Sequence, residues 1–296
     1  MALKPTITGA RFDKDRYKPG EKMSVTLDID VVEVPTTLVG MSAPNGAQTQ
    51  RIVDEFPGLA YFSDYGKDID RDGLTDLTAP ATGKLADVPL TAVAHMSWKG
   101  TVAQLGAWMS VADPRRQYVI NWYREPMDRV NPEAYRAAGT VVASTIDSHR
   151  DKAMILGNGP ILTRYWLDER NGDPAVWAYP GATMPGIDCY MNRPDDSAYW
   201  GGDKMFGVAL DKMRNAFPGA TFTIPEYGIV RLTRDTTGSG RAEALLSHWE
   251  WLQEQPDVAA WAYWNNTVTI DGKLIDYRLP TGSLESAAWR LIQAAQ

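Results

Sequence analysis

Two glutamates sit where apolar, strand-like runs give out. Glu125 follows Gln117-Tyr-Val-Ile-Asn-Trp-Tyr-Arg, and Glu226 follows Ala220-Thr-Phe-Thr-Ile-Pro. Two carboxyl groups flanking one bond are the apparatus of glycoside hydrolysis: one protonated to donate to the leaving oxygen, the other ionised. A separation of roughly 5–5.5 Å would make such a pair retaining. The structural alternative for Glu125 is an ion pair with Arg124 or Arg129, and Glu226 has a similar strand-end alternative. A carboxylate directly after an apolar strand and before Tyr227-Gly228 has no evident packing reason.

Other polar and aromatic residues fall at neighbouring strand ends. These are His95, Trp98 and Lys99, then Asn121 and Trp122, then Asp188 and Tyr190, Tyr227, and finally Trp261 and Trp264. Trp and Tyr join a flat apolar face to a polar handle, which suits either sugar stacking or a packed core. Adjacent strand residues point to opposite faces, so not every one of these can line a cleft. His95 and Asp188 are candidates for contacts to sugar hydroxyls, and Tyr227 for a hydrogen bond to a catalytic carboxylate. His149 and His248 fall on predicted helices and are expected at the surface. A barrel aldolase would want a strand-end lysine, and only Lys99 is near one.

Composition narrows the classes. The chain has 296 residues, 44% of them hydrophobic and 23% charged, with 11 Trp and 13 Tyr against 6 Phe. A net charge of −7 argues against a nucleic-acid surface, which needs cations to replace phosphate counterions. The single Cys189 excludes an intramolecular disulfide, and with only three His a zinc site is not expected. No cofactor or catalytic metal is expected. Asp68, Asp70 and Asp72 with Gly73 and Asp76 match the start of a calcium loop, but Ala79 stands where its closing Glu belongs. No stretch reaches the length of a membrane span, and Met-Ala-Leu-Lys-Pro-Thr lacks an apolar signal region. The chain is therefore expected to be extracellular or virion-associated by function, otherwise cytoplasmic. It is expected to be a monomer unless built into a larger virion or surface assembly.

The elements that must position these residues alternate. Residues 1–34 predict a short β extension, either a strand or hairpin packed on the rest or the remnant of a small β-sandwich module. Across 35–296, strand-like segments at 37–42, 59–63, 90–97, 117–123, 153–157, a sixth region from Ala175 to Tyr190, 220–224 and 258–264 alternate with helical stretches. Asn131 before Pro132 predicts a capped helix start. No Gly-rich phosphate loop follows the first strand, which disfavours a dinucleotide-binding sheet. The fold class predicted is α/β, a single (β/α)8 TIM barrel, whose active sites lie at the C-terminal strand ends.

Several of these strings resemble one family. Val119-Ile-Asn-Trp-Tyr-Arg-Glu-Pro-Met-Asp128, followed by Asn131-Pro-Glu-Ala-Tyr135, is similar to the fourth-strand motif of glycoside hydrolase family 26 and its actinobacterial and phage relatives. Ile224-Pro-Glu-Tyr-Gly-Ile229 resembles their nucleophile strand. Val93 to Lys99, and Leu245 through Asn265, resemble the third strand and the final helix and strand. The resemblance implies a retaining mechanism with Glu125 as acid/base and Glu226 as nucleophile. It also implies a β-linked polysaccharide substrate: mannan, glucan or a bacterial cell-envelope glycan. One departure is Arg124, where the relatives often carry His. A cation beside a carboxylate favours its charged form, the wrong direction for an acid. Either Arg124 points away, as strand alternation suggests, or activity is altered. The second class to weigh is therefore a non-catalytic carbohydrate-binding barrel in a phage tail or cell-surface assembly.

Overall fold

The structure, a computed structural model, describes residues 2–12, 25–34, 37–42, 46–65, 85, 87–98 and 101–296. The chain divides into two compact units, Met1–Thr36 and Thr37–Gln296. In the first, β1 (Ala2–Phe12) and β2 (Val25–Val34) form an antiparallel ladder whose register shifts between Ile7 and Gly9. Asp68 to Asp76 and Lys99 lie outside the described residues.

The second unit is a parallel barrel. Its strands are β3 (Leu38–Ser42), β4 (Tyr61–Tyr65), β5 (Val93–Trp98), β6 (Gln117–Trp122), β7 (Met154–Asn158), β8 (Ile161–Thr163), β9 (Gly186–Met191), β10 (Phe222–Ile229) and β11 (Val258–Trp264). They form a nine-stranded sheet ordered β7-β6-β5-β4-β3-β11-β10-β9-β8. The two outermost strands are consecutive in the chain and separated only by Gly159 and Pro160. β7 pairs with β6, and β8 pairs with β9, both in parallel. The two pieces therefore act as one interrupted strand, and the sheet closes as the expected (β/α)8 barrel. At the interruption Pro160 brings no N–H, and its carbonyl accepts from Gly186 N at 2.8 Å. A Cβ on Gly159 would lie 2.6 Å from both N and Cα of Pro185, so no larger residue passes here unchanged.

Around the barrel lie α1 (Gly46–Glu55), α2 (Val102–Met109), α3 (Pro132–Ser148), α4 (Val208–Ala216), α5 (Ser239–Gln253) and α6 (Leu284–Ala294). The predicted cap holds: the Asn131 side chain accepts from the N–H groups of Glu133 and Ala134 at 2.9 and 3.1 Å, with Pro132 opening α3. Strand alternation sorts side chains into two layers. Ala94, Met96 and Trp98 face the helices in the main core, whereas Val93 packs inside the barrel with Tyr61, Val119, Ala260 and Ala262.

Two expectations change, and one element is new. The sixth strand is Gly186–Met191; Pro174–Trp177 is instead a 3-10 turn, because Asp173 caps it through Ala175 N and Pro174 opens it. β10 runs on to Ile229, so Glu226 lies within the strand and not beyond its end. A hairpin of β12 (Thr267–Ile270) and β13 (Lys273–Asp276), unforeseen in sequence, follows β11 and turns at Asp271 (φ 49°) and Gly272 (φ 75°).

Candidate active site

The inner face of the barrel carries polar groups toward its C-terminal end. Asp188 and Tyr190, two apart on β9, share that face. Glu226 of β10 is buried beside them. Tyr190 donates its hydroxyl to Glu226 Oε2. Ser42, at the end of β3, reaches Glu226 Oε1 at 3.5 Å.

Arg124 completes the cluster. The chain leaves β6 at Trp122, and both Tyr123 (φ 55°) and Glu125 (φ 49°) take left-handed backbone. Non-glycine residues held this way cost on the order of 1–3 kcal/mol each and persist only where their surroundings enforce them. Here Tyr123 N donates to Trp98 O at 2.8 Å, and Glu125 N to Ile161 O at 3.1 Å. The twist swings Arg124 into the barrel. Its guanidinium grips Asp188 at two points, Nε to Oδ2 at 2.8 Å and Nη2 to Oδ1 at 2.6 Å, and Nη2 also lies 3.0 Å from Glu226 Oε1. The Arg124 guanidinium forms ion pairs with Asp188 and Glu226. The cation next to Glu125 is Arg129, at 3.7 Å.

The electrostatics follow from burial. Burial pushes the Glu226 carboxyl above its ordinary range; Arg124 opposes the rise, and Glu125 adds to it. Asp188 rises further for the same first reason, again opposed by Arg124. Burial alone would pull Arg124 down, but Asp188 and Glu226 hold it well above its usual value, so it stays charged.

Glu226 and Glu125 line one cleft of about 670 Å³, together with Asp188, Tyr190, Trp264 and Tyr277. Glu125 is the more open of the two, its side chain 28% exposed against 8% for Glu226. The remaining sequence candidates sit elsewhere. His95 and Asn121 face inward but are fully buried, His95 against the Tyr61 hydroxyl and Asn121 donating to Gly159 O. Trp98 and Trp122 fall on the opposite strand face, Trp98 within the main core and Trp122 packed against it beside Tyr135. Trp261 is likewise wholly in the core. Tyr227 also turns outward, and its hydroxyl pairs with His248 Nδ1 at 2.6 Å; the tyrosine that reaches a carboxylate is Tyr190. His248 corrects a surface expectation, because α5 buries it between Tyr227 and Trp200 O. His149 is half-buried at the end of α3. Ser42, Tyr277 and the β12–β13 hairpin were not anticipated, since only closure of the barrel brings them beside β10. Among the described residues no group of three or more His, Cys, Asp or Glu could hold a metal ion. No described helix is long and apolar enough to cross a membrane.

No protein-family model matches this chain, and no curated protein matches its sequence. Solved structures do match its fold. A calcium-binding mutant of β-glucuronidase 2 from Bacteroides uniformis aligns with 92% of the chain at a TM-score of 0.57 and 10% identity, the chain spanning 37% of that protein. A family 5 xyloglucanase from Paenibacillus pabuli aligns with 88% of the chain and 97% of its own length, at a TM-score of 0.54 and 10% identity. A GH26 β-mannanase from Bacteroides ovatus aligns with 87% of the chain and 88% of its own length, at a TM-score of 0.52 and 10% identity. What this chain shares with them is the barrel fold; these neighbours are glycoside hydrolases by name.

Proposed function

We propose that this chain is a retaining glycoside hydrolase that cleaves within a β-linked polysaccharide, with Glu226 as nucleophile and Glu125 as acid/base. The observation that carries the reading is Glu226 itself. It is buried, has Arg124 on one carboxylate oxygen and Tyr190 on the other, and opens onto the cleft that Glu125 also lines. A nucleophilic carboxylate must be ionised and aimed, and those two partners favour both. Its fold neighbours include a xyloglucanase and a β-mannanase, which supports the reading.

In the first step a Glu226 oxygen attacks the anomeric carbon. The glycosidic C–O bond breaks, and the Glu125 proton passes to the leaving oxygen. In the second, Glu125 takes a proton from water, whose oxygen displaces Glu226 from the anomeric carbon. Asp188 acts through Arg124 as a positioning residue. Mannan, glucan and bacterial cell-envelope glycans are the candidate substrates, met outside the cell or at a virion surface.

The test is release of reducing ends from β-mannan, β-glucan and bacterial cell-wall polysaccharides. Wild-type protein should release them from at least one polymer, and Glu226→Gln should lose at least about a thousandfold. Glu125→Ala should retain the first step on substrates with activated leaving groups and be rescued by azide, giving a glycosyl azide of retained configuration. Polymer binding without turnover would favour the non-catalytic carbohydrate-binding barrel.

A further inference from the structure

The two walls of the cleft differ in character. The wall built after β11 is mostly aromatic and apolar, with Trp264, Val268, Ile270 and Tyr277, and carries one carboxylate, Asp271, at the turn of the β12–β13 hairpin. The wall built after β6, β8 and β9 carries Arg129, Arg164 and Arg193, with Glu169 as the one carboxylate beside Glu125. Glu169 is shared: Arg164 holds Oε1 at 2.5 Å and Arg193 holds Oε2 at 3.0 Å. Arg164 is buried, also paired with Asp168 at 2.8 Å and stacked 4.5 Å from the Trp200 ring, so it serves as an anchor. Arg129 and Arg193 are different, with 52% and 58% of their side chains exposed.

Arg129 faces Glu125 at 3.7 Å. A general acid enters the reaction protonated, and in that state Glu125 offers Arg129 no charge. The leaving sugar necessarily sits beside Glu125, on this cationic wall. Guanidinium groups pair well with planar carboxylates and with phosphates.

We propose that the leaving-group side of the cleft binds a sugar bearing an anionic substituent, a carboxylate or a phosphate, recognised by Arg129 and Arg193. The natural substrate is then an acidic polysaccharide whose flat sugar faces meet the opposite wall. The inference rests on the glycosidase assignment for which sugar is the leaving one, but its binding can be measured separately.

The experiment uses three polymers of matched backbone: β-1,4-mannan, β-1,4-polymannuronate, and β-1,4-mannan phosphorylated at C6. Binding is measured by calorimetry on Glu226→Gln, and cleavage on wild type. One anionic polymer should bind at least about tenfold tighter than neutral mannan, the preference identifying carboxylate or phosphate. Arg129→Gln and Arg193→Gln should each reduce that preference several-fold. Raising NaCl from 0.05 to 0.5 M should weaken binding of the anionic polymer far more than of mannan, a readout that does not depend on either variant folding. Equal or tighter binding of neutral mannan, no binding of either anionic polymer, or an absent salt effect overturns the proposal and leaves the hydrolase assignment standing. Selective anionic binding with no cleavage of any polymer overturns the hydrolase assignment and leaves the anionic site standing.

Discussion

At Arg124 one guanidinium serves two buried carboxylates, and most of the site's behaviour follows from that ratio. Removing it as Arg124→Met strands Asp188 and Glu226 without their cation, which should destabilise the fold by about 3–5 kcal/mol in chemical denaturation. As the proposed nucleophile Glu226 must be ionised, and burial raises its carboxyl, so the acid limb of kcat/KM should lie above the ordinary carboxylate value of 4.5. Arg124→Lys, which keeps the charge and loses the two-point grip, should move that limb further up in pH; an unmoved limb would separate Arg124 from the nucleophile. The two glutamates were legible because each interrupts an apolar run with a charge that packing does not require. The direction of Arg124 was not. Alternation applies only while the backbone stays extended, and here it gives way to left-handed residues immediately after Trp122.

The elements that set this geometry are joined at the interrupted fifth strand. Gly159 O takes the Asn121 side chain, and Ile161 O takes the Glu125 N–H, so the break itself and the start of β8 hold the end of β6 and the residues after it. Gly159→Ala would force a Cβ onto Pro185 backbone and should cost roughly 1–3 kcal/mol. Activity should fall more than the loss of folded protein explains, measured as kcat at a temperature where both proteins are fully folded; an unchanged kcat would show that the break does not position Glu125. Helix starts were legible where capping chemistry is local, as at Asn131-Pro132. The same chemistry at Asp173-Pro174 makes a short turn that apolar residues disguise as a strand. The β12–β13 hairpin was missed because its strands are short and mostly exposed, leaving little hydrophobic pattern to detect.

Across the whole molecule, two histidines are folded in neutral. Burial pulls His248 from 6.5 down to about 4 and pulls His95 well below its ordinary value, with Arg124 adding to the fall at His95. The unfolded chain binds these protons below pH 6.5 and the folded chain does not. Stability is therefore greatest from this source above pH 6.5 and is lost as pH falls toward 4, by on the order of 3 kcal/mol for His248. Asp188 and Glu226, raised by burial, act in the opposite direction, so the comparison must be made within a pair of proteins. The stability difference between wild type and His248→Gln should shrink between pH 7 and 4.5; a constant difference would mean that His248 titrates normally. The barrel was legible as a count of alternating apolar segments. The depth of His248 was not, because its partners come from Tyr227 on β10 and the carbonyl of Trp200, well separated in sequence.

As the proposed nucleophile, Glu226 should become covalently glycosylated during turnover. The direct measurement is intact and peptide mass spectrometry after incubation with a 2-deoxy-2-fluoro glycosyl fluoride matching the polymer that is cleaved. One added glycosyl group is expected on the peptide containing Glu226, with slow turnover of the label and none on Glu226→Gln. A label on another residue, or no label together with a product of inverted configuration, would exclude Glu226 as the nucleophile.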